Sequence, residues 1–494
     1  MLVLVFICVF CICNSALSLP AGDYSVPSDL GIVKEAFDAP SGNKDCARMI
    51  IHIQDAHCNY EAQKNMAGIL EHLVENYNLK LVMVEGGNGN VNLDFLRSYA
   101  DKISRQEIAD KYLKMGKISG EEYLDIVSDY DIELYGIDDE PLYDMQLDNF
   151  SNIDKIREKC LQYVKKLSGV VSVLKPFIYS EQLRQLEEKK SKYKENAFSL
   201  ADYSQYLTEI IINKGMKLKA YPQISKFCRT VRLEKDIDFQ LAEQERNTFV
   251  KDIAGLLDEA GVNELINMTK EFKEKNISAQ EYYTFLKFIS EEKVDLKSYP
   301  HLNNYVDYLT LSKDIEAKSL LEEISQAEKA LFEAYLTNNE QRELRDIDKA
   351  LKIISRMLNL ELTPDGYTFF KVNKHLFHND YWINFLNRSC AKYNLPEKIS
   401  PSNIIDANLN LLEEFYRLGT EREKAFIKNV VKKMNDSDEN IAVLITGGFH
   451  TLGITRGLKS IDYSYLVVAP IVSVNKDSSI YFSVLREERK QNLE

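Results

Sequence analysis

The chain alternates between short, wholly apolar runs and long stretches in which apolar residues recur every three or four positions. Three early runs, at residues 48–53, 79–84 and 132–136, carry consecutive aliphatic side chains rather than an in–out alternation. Runs of this kind fit strands buried on both faces of a parallel sheet. Between the first two, Met66, Ile69, Leu70, Leu73 and Val74 mark one face of a helix over residues 61–77. Strand, helix and strand in close succession predict a right-handed βαβ unit. Residues 93–127 read as helices with a turn at 115–119.

Beyond Pro141 the pattern changes. From residue 142 to 435 strand signal is almost absent, and long charged helices dominate. Leu320, Ile324, Ala327, Leu331 and Ala334 keep helical spacing, as do Leu344, Ile347, Leu351, Ile354 and Leu358. The polar break at 337–340 between them predicts an antiparallel αα-hairpin. The abundant Lys and Glu read as a solvated outer face. Strand signal returns at 441–445, 465–468 and 480–484. Each half has too few strands to bury a sheet alone. The expected fold is therefore α/β: a split, parallel-rich sheet with flanking helices, interrupted by a large all-helical insertion domain. The boundaries that follow are a signal peptide at 1–18, a lead-in linker at 19–45, sheet halves at 46–141 and 436–486, the insertion at 142–435, and a tail at 487–494. Two independent α/β domains are the alternative.

Composition narrows the partners. The 494 residues are 45% hydrophobic, and the net charge is -14. An acidic chain without a basic run is a poor binder of nucleic acid or anionic membrane, because neutralising phosphates needs clustered Lys and Arg. The apolar run at residues 2–13 has signal-peptide length and is too short to span a bilayer. Ala16, Leu17 and Ser18 suit cleavage after Ser18, which predicts export to the periplasm or exterior with no stable membrane span afterwards. The lack of Lys or Arg ahead of the run keeps an uncleaved anchor, or a misassigned start, as the alternative. Of the eight cysteines, the mature chain would keep Cys46, Cys58, Cys160, Cys228 and Cys390. They are scattered and lack CxxC spacing, which argues against a disulfide framework or a structural zinc site. One incidental pair, such as Cys46 with Cys58, is allowed.

In open parallel sheets, ligands bind beyond the carboxyl ends of the strands. His57, Glu85, Asp138 and His450 each follow a predicted strand, so one shared rim is expected. Two imidazoles and a carboxylate suit either of two chemistries. They can hold a divalent metal whose bound water attacks a carbonyl. They can also work without metal, one histidine taking a proton from water while a carboxylate fixes its tautomer. Gly447 and Gly448 permit close backbone approach, and their amides suit a developing oxyanion. His52 lies within its strand and reads as core, and His72 reads as exposed. His375 and His378 are spaced i,i+3 without an HExxH pattern and read as structural. Residues 86–89 read as a flexible turn.

At these residues the chain resembles the superfamily that joins TraB/PrgY-type proteins, the Tiki proteases, the erythromycin esterases and the ChaN-like haem-binding proteins. That superfamily places a GxxH or GExH motif after its first strand, a glutamate after its second and another GxxH after a late strand. Gln54-Asp55-Ala56-His57 stands at the first motif, Val84-Glu85-Gly86 at the glutamate and Gly447-Gly448-Phe449-His450 at the second motif. Gln54 departs from the motif glycine, and Asp55 stands where some branches have Glu. The superfamily also carries an arginine at the start of the helix before the late strand. Arg422 occupies that place, and Arg246 sits in a similar rival motif.

The resemblance implies a hydrolase-like site, metal-dependent in the Tiki-like branch (manganese, cobalt or zinc), or a haem site in the ChaN-like branch. The leading expectation is an exported hydrolase that cleaves an amide or ester bond of a small-molecule or peptide substrate. His57 and His450 would be metal ligands, or base and acid. Glu85 would be ligand or orienter, with Asp55 behind them. Arg422 or Arg246 would polarise a carbonyl, and Gly447, Gly448, Gln54 and Asp138 would contact substrate. A non-catalytic haem or small-molecule binder is the alternative. A protein that kept the fold without the chemistry predicts that the three side chains do not meet.

Overall fold

The structure is a computed structural model that describes residues 24–40, 48–291, 293–473 and 478–491. The expected signal segment, Cys46 and the end of the expected tail lie outside these residues. The fold is α/β, with a seven-stranded mixed sheet and a large helical region.

The strands are β1 (Gly31–Phe37), β2 (Met49–Asp55), β3 (Leu81–Val84), β4 (Asn88–Asn90), β5 (Glu133–Ile137), β6 (Ile441–Gly447) and β7 (Ser464–Pro470). Their order is β1-β7-β2-β6-β3-β5-β4. The five inner strands are parallel, and the edge strands β1 and β4 are antiparallel to their neighbours. Strands from the two ends of the chain interleave: β6 lies between β2 and β3, and β2 lies between β7 and β6. The expected split sheet is thus one sheet.

Alternate side chains enter opposite faces, as a period of two requires. Ile51, Ile53, Val82, Val443 and Ile445 pack under α1 (Tyr60–Tyr77), together with α2 (Lys102–Lys114) and α3 (Gly120–Val127). Ile50, Met83, Ala442, Leu444 and Val467 pack under Phe426, Val430 and Met434 of the helix Leu409–Ser437, and under the helix Thr451–Ser460. Both faces are covered, which is why the inner strands read as unbroken apolar runs.

Two expectations are corrected. Part of the supposed linker at 19–45 forms β1, an edge strand that pairs with β7. The supposed strand at 480–484 is instead part of the helix Ser478–Gln491, which also takes in the start of the supposed tail. There Phe482 and Leu485, one helical turn apart, pack on Leu147 and Phe150 of α4 (Glu140–Ile178). The β-branched and aromatic run Ile-Tyr-Phe-Ser-Val had suggested a strand, but its buried positions keep helical period.

The described chain divides into two compact units. One is Tyr179–Gln341, all helical, with its own cores around Tyr203 and Leu207 and around Phe249 and Tyr282. The other holds the sheet together with α4 and the helices after Arg342. The independent helical unit is therefore shorter than the 142–435 span expected. The two expected helices of the hairpin are present as Ala317–Tyr335 and Asn339–Leu358, and the unit boundary falls at the start of the second.

Candidate active site

Strand order places the site. The carboxyl ends of β2, β6, β3 and β5 lie side by side, and they deliver His57, His450, Glu85 and Asp138 in turn. The three side chains expected to converge do so. A Cβ built on Gly447 would stand 3.1 Å from His57 Nε2 and 3.6 Å from Glu85 Oε2. His450 Nε2 is 3.5 Å from Glu85 Oε1. Glycine at 447 therefore keeps room for the imidazole ring beside the strand end.

His57 is held by its own loop. Its Nδ1 pairs with Asp55 Oδ2, and Asp55 Oδ1 accepts a hydrogen bond from Gln63 Nε2 at 2.6 Å. The ring stacks on Tyr481 with 5.2 Å between centroids, and its side chain is 31% exposed. A carboxylate on Nδ1 fixes the tautomer and leaves Nε2 as the basic nitrogen.

Glu85 is the hub of a buried cluster. Its Oε1 accepts from Arg422 Nη2 at 2.9 Å, and its Oε2 accepts from the Gly447 amide at 2.8 Å. Arg422 also donates through Nε to Asp138 Oδ1 at 2.9 Å and through Nη1 to Gln146 Oε1 at 2.5 Å. Asp138 Oδ2 further accepts from the Gly86 amide at 2.9 Å, which ties the loop after β3 to β5. His450 Nδ1 lies 3.2 Å from Glu423 Oε1. Burial alone would raise the Glu85 carboxyl, but His450 and Arg422 outweigh it and hold it well below the usual range. Burial alone would lower His450, but Glu85 and Glu423 outweigh it and hold the imidazole above its usual value. His450 thus lies buried between two carboxylates that favour its protonated form, and Arg422 ties together Glu85 and Asp138, which follow β3 and β5.

These contacts sort the expected residues. Gly447 and Gly448 line the cavity, but the Gly447 amide is committed to Glu85. Gln54 and Asp138 are corrected as substrate contacts. Gln54 Nε2 donates to Thr451 Oγ1 at 2.9 Å, and Asp138 is buried under Arg422; neither lines the cavity. Arg422 is the arginine of the cluster. Arg246 lies in the helical unit, paired with Glu243 at 2.9 Å. His52 is core as expected, fully buried with Nε2 at 3.0 Å from Thr446 Oγ1. Burial pushes its imidazole down to about 3.

The expected metal set of His57, Glu85 and His450 does not fit a divalent cation. Both Glu85 oxygens are engaged, one of them by a guanidinium, and His450 Nδ1 faces Glu423. Among the described residues, no group of three His, Cys, Asp or Glu side chains could hold a metal.

Sequence reasoning missed Gln146, Glu423 and Glu121. Glu423 follows Arg422 directly, and a buried histidine whose second ring nitrogen needs a partner could have pointed to it. Gln146 and Glu121 border a cavity of about 690 Å³. Its lining combines the polar side chains of His57, Glu85, Glu121 and Arg422 with the apolar ones of Leu147, Phe150, Leu362, Phe415, Tyr416 and Phe449. No family model, curated protein or solved structure matches the chain.

Proposed function

We propose that the protein hydrolyses an ester or amide bond, with His57 as general base. The observation that carries this reading is the Asp55–His57 pair at the wall of a cavity of about 690 Å³. Asp55 holds the Nδ1 proton, so Nε2 takes the proton from a water that attacks the substrate carbonyl. A positioned base of this kind contributes about 100- to 10,000-fold. Glu85, Arg422 and His450 are positioning residues: they fix the Gly447 loop that confines the imidazole. We assign the developing oxyanion to the Gly448 amide, at the start of the turn that runs into the helix Thr451–Ser460.

The cavity volume suits a small molecule or the end of a peptide. The aromatic residues in its lining favour a substrate that carries an apolar group. Arg422 is already bonded to Glu85, Asp138 and Gln146, so a substrate carboxylate gains no partner from it. Neutral substrates follow.

The test is turnover of a panel of alkyl esters, 4-nitrophenyl esters and anilides with apolar acyl groups, run beside a haem titration. Hydrolysis of any panel member supports the reading. A shifted Soret band at micromolar protein, with no turnover of any panel member, supports the haem-binding alternative instead.

A further inference from the structure

Resting on that hydrolase reading, we propose that Glu121 is the general acid of the site, the group that gives a proton to the departing alcohol or amine. Nothing in the chain's motifs marks this residue. It enters the site through packing.

Glu121 stands in the first turn of α3. Ser119 caps that helix, and the Glu122 side chain returns to the Ser119 amide at 2.8 Å. Glu122 therefore returns to the cap amide, while Glu121, which also feels the Ser119 hydroxyl, has its Oε2 left over. The start of α3 presses on α1: a Cβ on Gly120 would stand 2.3 Å from the Gln63 carbonyl oxygen, so only glycine permits the approach. The Gly120 amide donates to Gln63 Oε1 at 2.6 Å, and Gln63 Nε2 in turn donates to Asp55. One glutamine thereby fixes both the start of α3 and the carboxylate behind His57. This brings Glu121 to the wall of the same cavity, on the Asp55 side.

Glu121 is only 6% exposed, and its Oε2 is buried without a hydrogen-bond partner. An unsatisfied buried carboxyl oxygen is costly and is tolerated most easily when protonated. Burial first, then the charges of Glu122 and Asp55, push this carboxyl up to about 8. At neutral pH it therefore carries a proton. Two carboxyls on one wall thus differ in role: Asp55 is engaged by His57 and Gln63, whereas Glu121 holds a proton that it can release. Environments that separate neighbouring carboxyls in this way assign acid and base.

The step balances with water as the only co-reactant. His57 Nε2 takes one proton from water as the oxygen bonds to the carbonyl carbon. The tetrahedral intermediate collapses, the bond to the leaving group breaks with its electron pair, and the leaving atom takes the Glu121 proton. The proton gained by His57 then returns to Glu121 through water.

The test uses leaving-group dependence in the full chain. Butyrate esters of 4-nitrophenol and of ethanol share an acyl group, but only the poor leaving group ethoxide requires protonation as it departs. In Glu121→Gln the loss of kcat/KM on the ethyl ester should exceed the loss on the nitrophenyl ester by about 100-fold. Glutamine preserves shape and neutrality, and a thermal melt followed by tryptophan fluorescence checks folding. Equal losses on the two esters, or no loss on either, overturn the acid role while leaving the hydrolase reading intact. A wild-type chain that turns over neither of these esters nor any other panel member overturns both.

Discussion

Glu121 makes a quantitative prediction about stability that needs no substrate. The perturbation is Glu121→Gln, followed across pH. The folded protein holds this carboxyl at about 8, against an ordinary value of 4.5. Between those values the unfolded chain has released the proton and the folded chain has kept it. Stability therefore falls as pH rises, by about 1.4 kcal/mol per pH unit. The glutamine variant lacks this contribution. Moving from pH 5.5 to 7.5 should thus cost the wild type about 3 kcal/mol more than the variant. His450, whose value is also raised, loses its stabilising effect as pH rises through that value, but it does so equally in both chains. The assay is urea unfolding followed by fluorescence. The chain has one tryptophan, Trp382, which is fully buried in the unit that holds the sheet and donates to the Leu376 carbonyl at 2.7 Å. Its signal reports the unit that contains Glu121, separately from the helical unit. Parallel pH dependences in the two chains would refute the claim that Glu121 is buried in its protonated form.

Three further outcomes follow from the site. Asp55→Asn should lower kcat by about 100- to 10,000-fold with the fold intact, because an amide no longer holds the His57 tautomer; this is read by steady-state kinetics and a melt. Arg422→Met leaves Glu85 and Asp138 buried without a counter-charge and should cost about 3–5 kcal/mol in urea unfolding, and Arg422→Lys should restore only part because an ammonium lacks the guanidinium fork. Gly447→Ala sets a methyl 3.1 Å from His57 Nε2 and should lower kcat/KM by about tenfold with little change in melting midpoint.

The sheet was legible where both faces are buried. Residues 49–55, 81–84 and 441–447 are nearly continuous aliphatic runs, and their ends delivered His57, Glu85 and His450 to one rim. The strand β1 was illegible because an edge strand with mixed burial, GIVKEAF, resembles the polar lead-in around it. The unit boundaries at Tyr179 and Gln341 were illegible for another reason. Helices on both sides carry the same period, and only packing decides which core each one joins. Glu423, Gln146 and Glu121 sit in charged helices, where a functional carboxyl or amide looks like any solvated residue. Ser119 and Glu122 made a readable capping box, but the chain gave no sign that the intervening Glu121 turns inward.

The central claim is that His57 Nε2 is the base of a hydrolytic site. The most direct measurement is kcat/KM of His57→Ala on the best ester of the panel, with and without added imidazole. The account predicts a loss of about 100-fold or more, partly recovered by imidazole, with no change in the Trp382 unfolding signal. Hydrolysis by His57→Ala at the wild-type rate would contradict it.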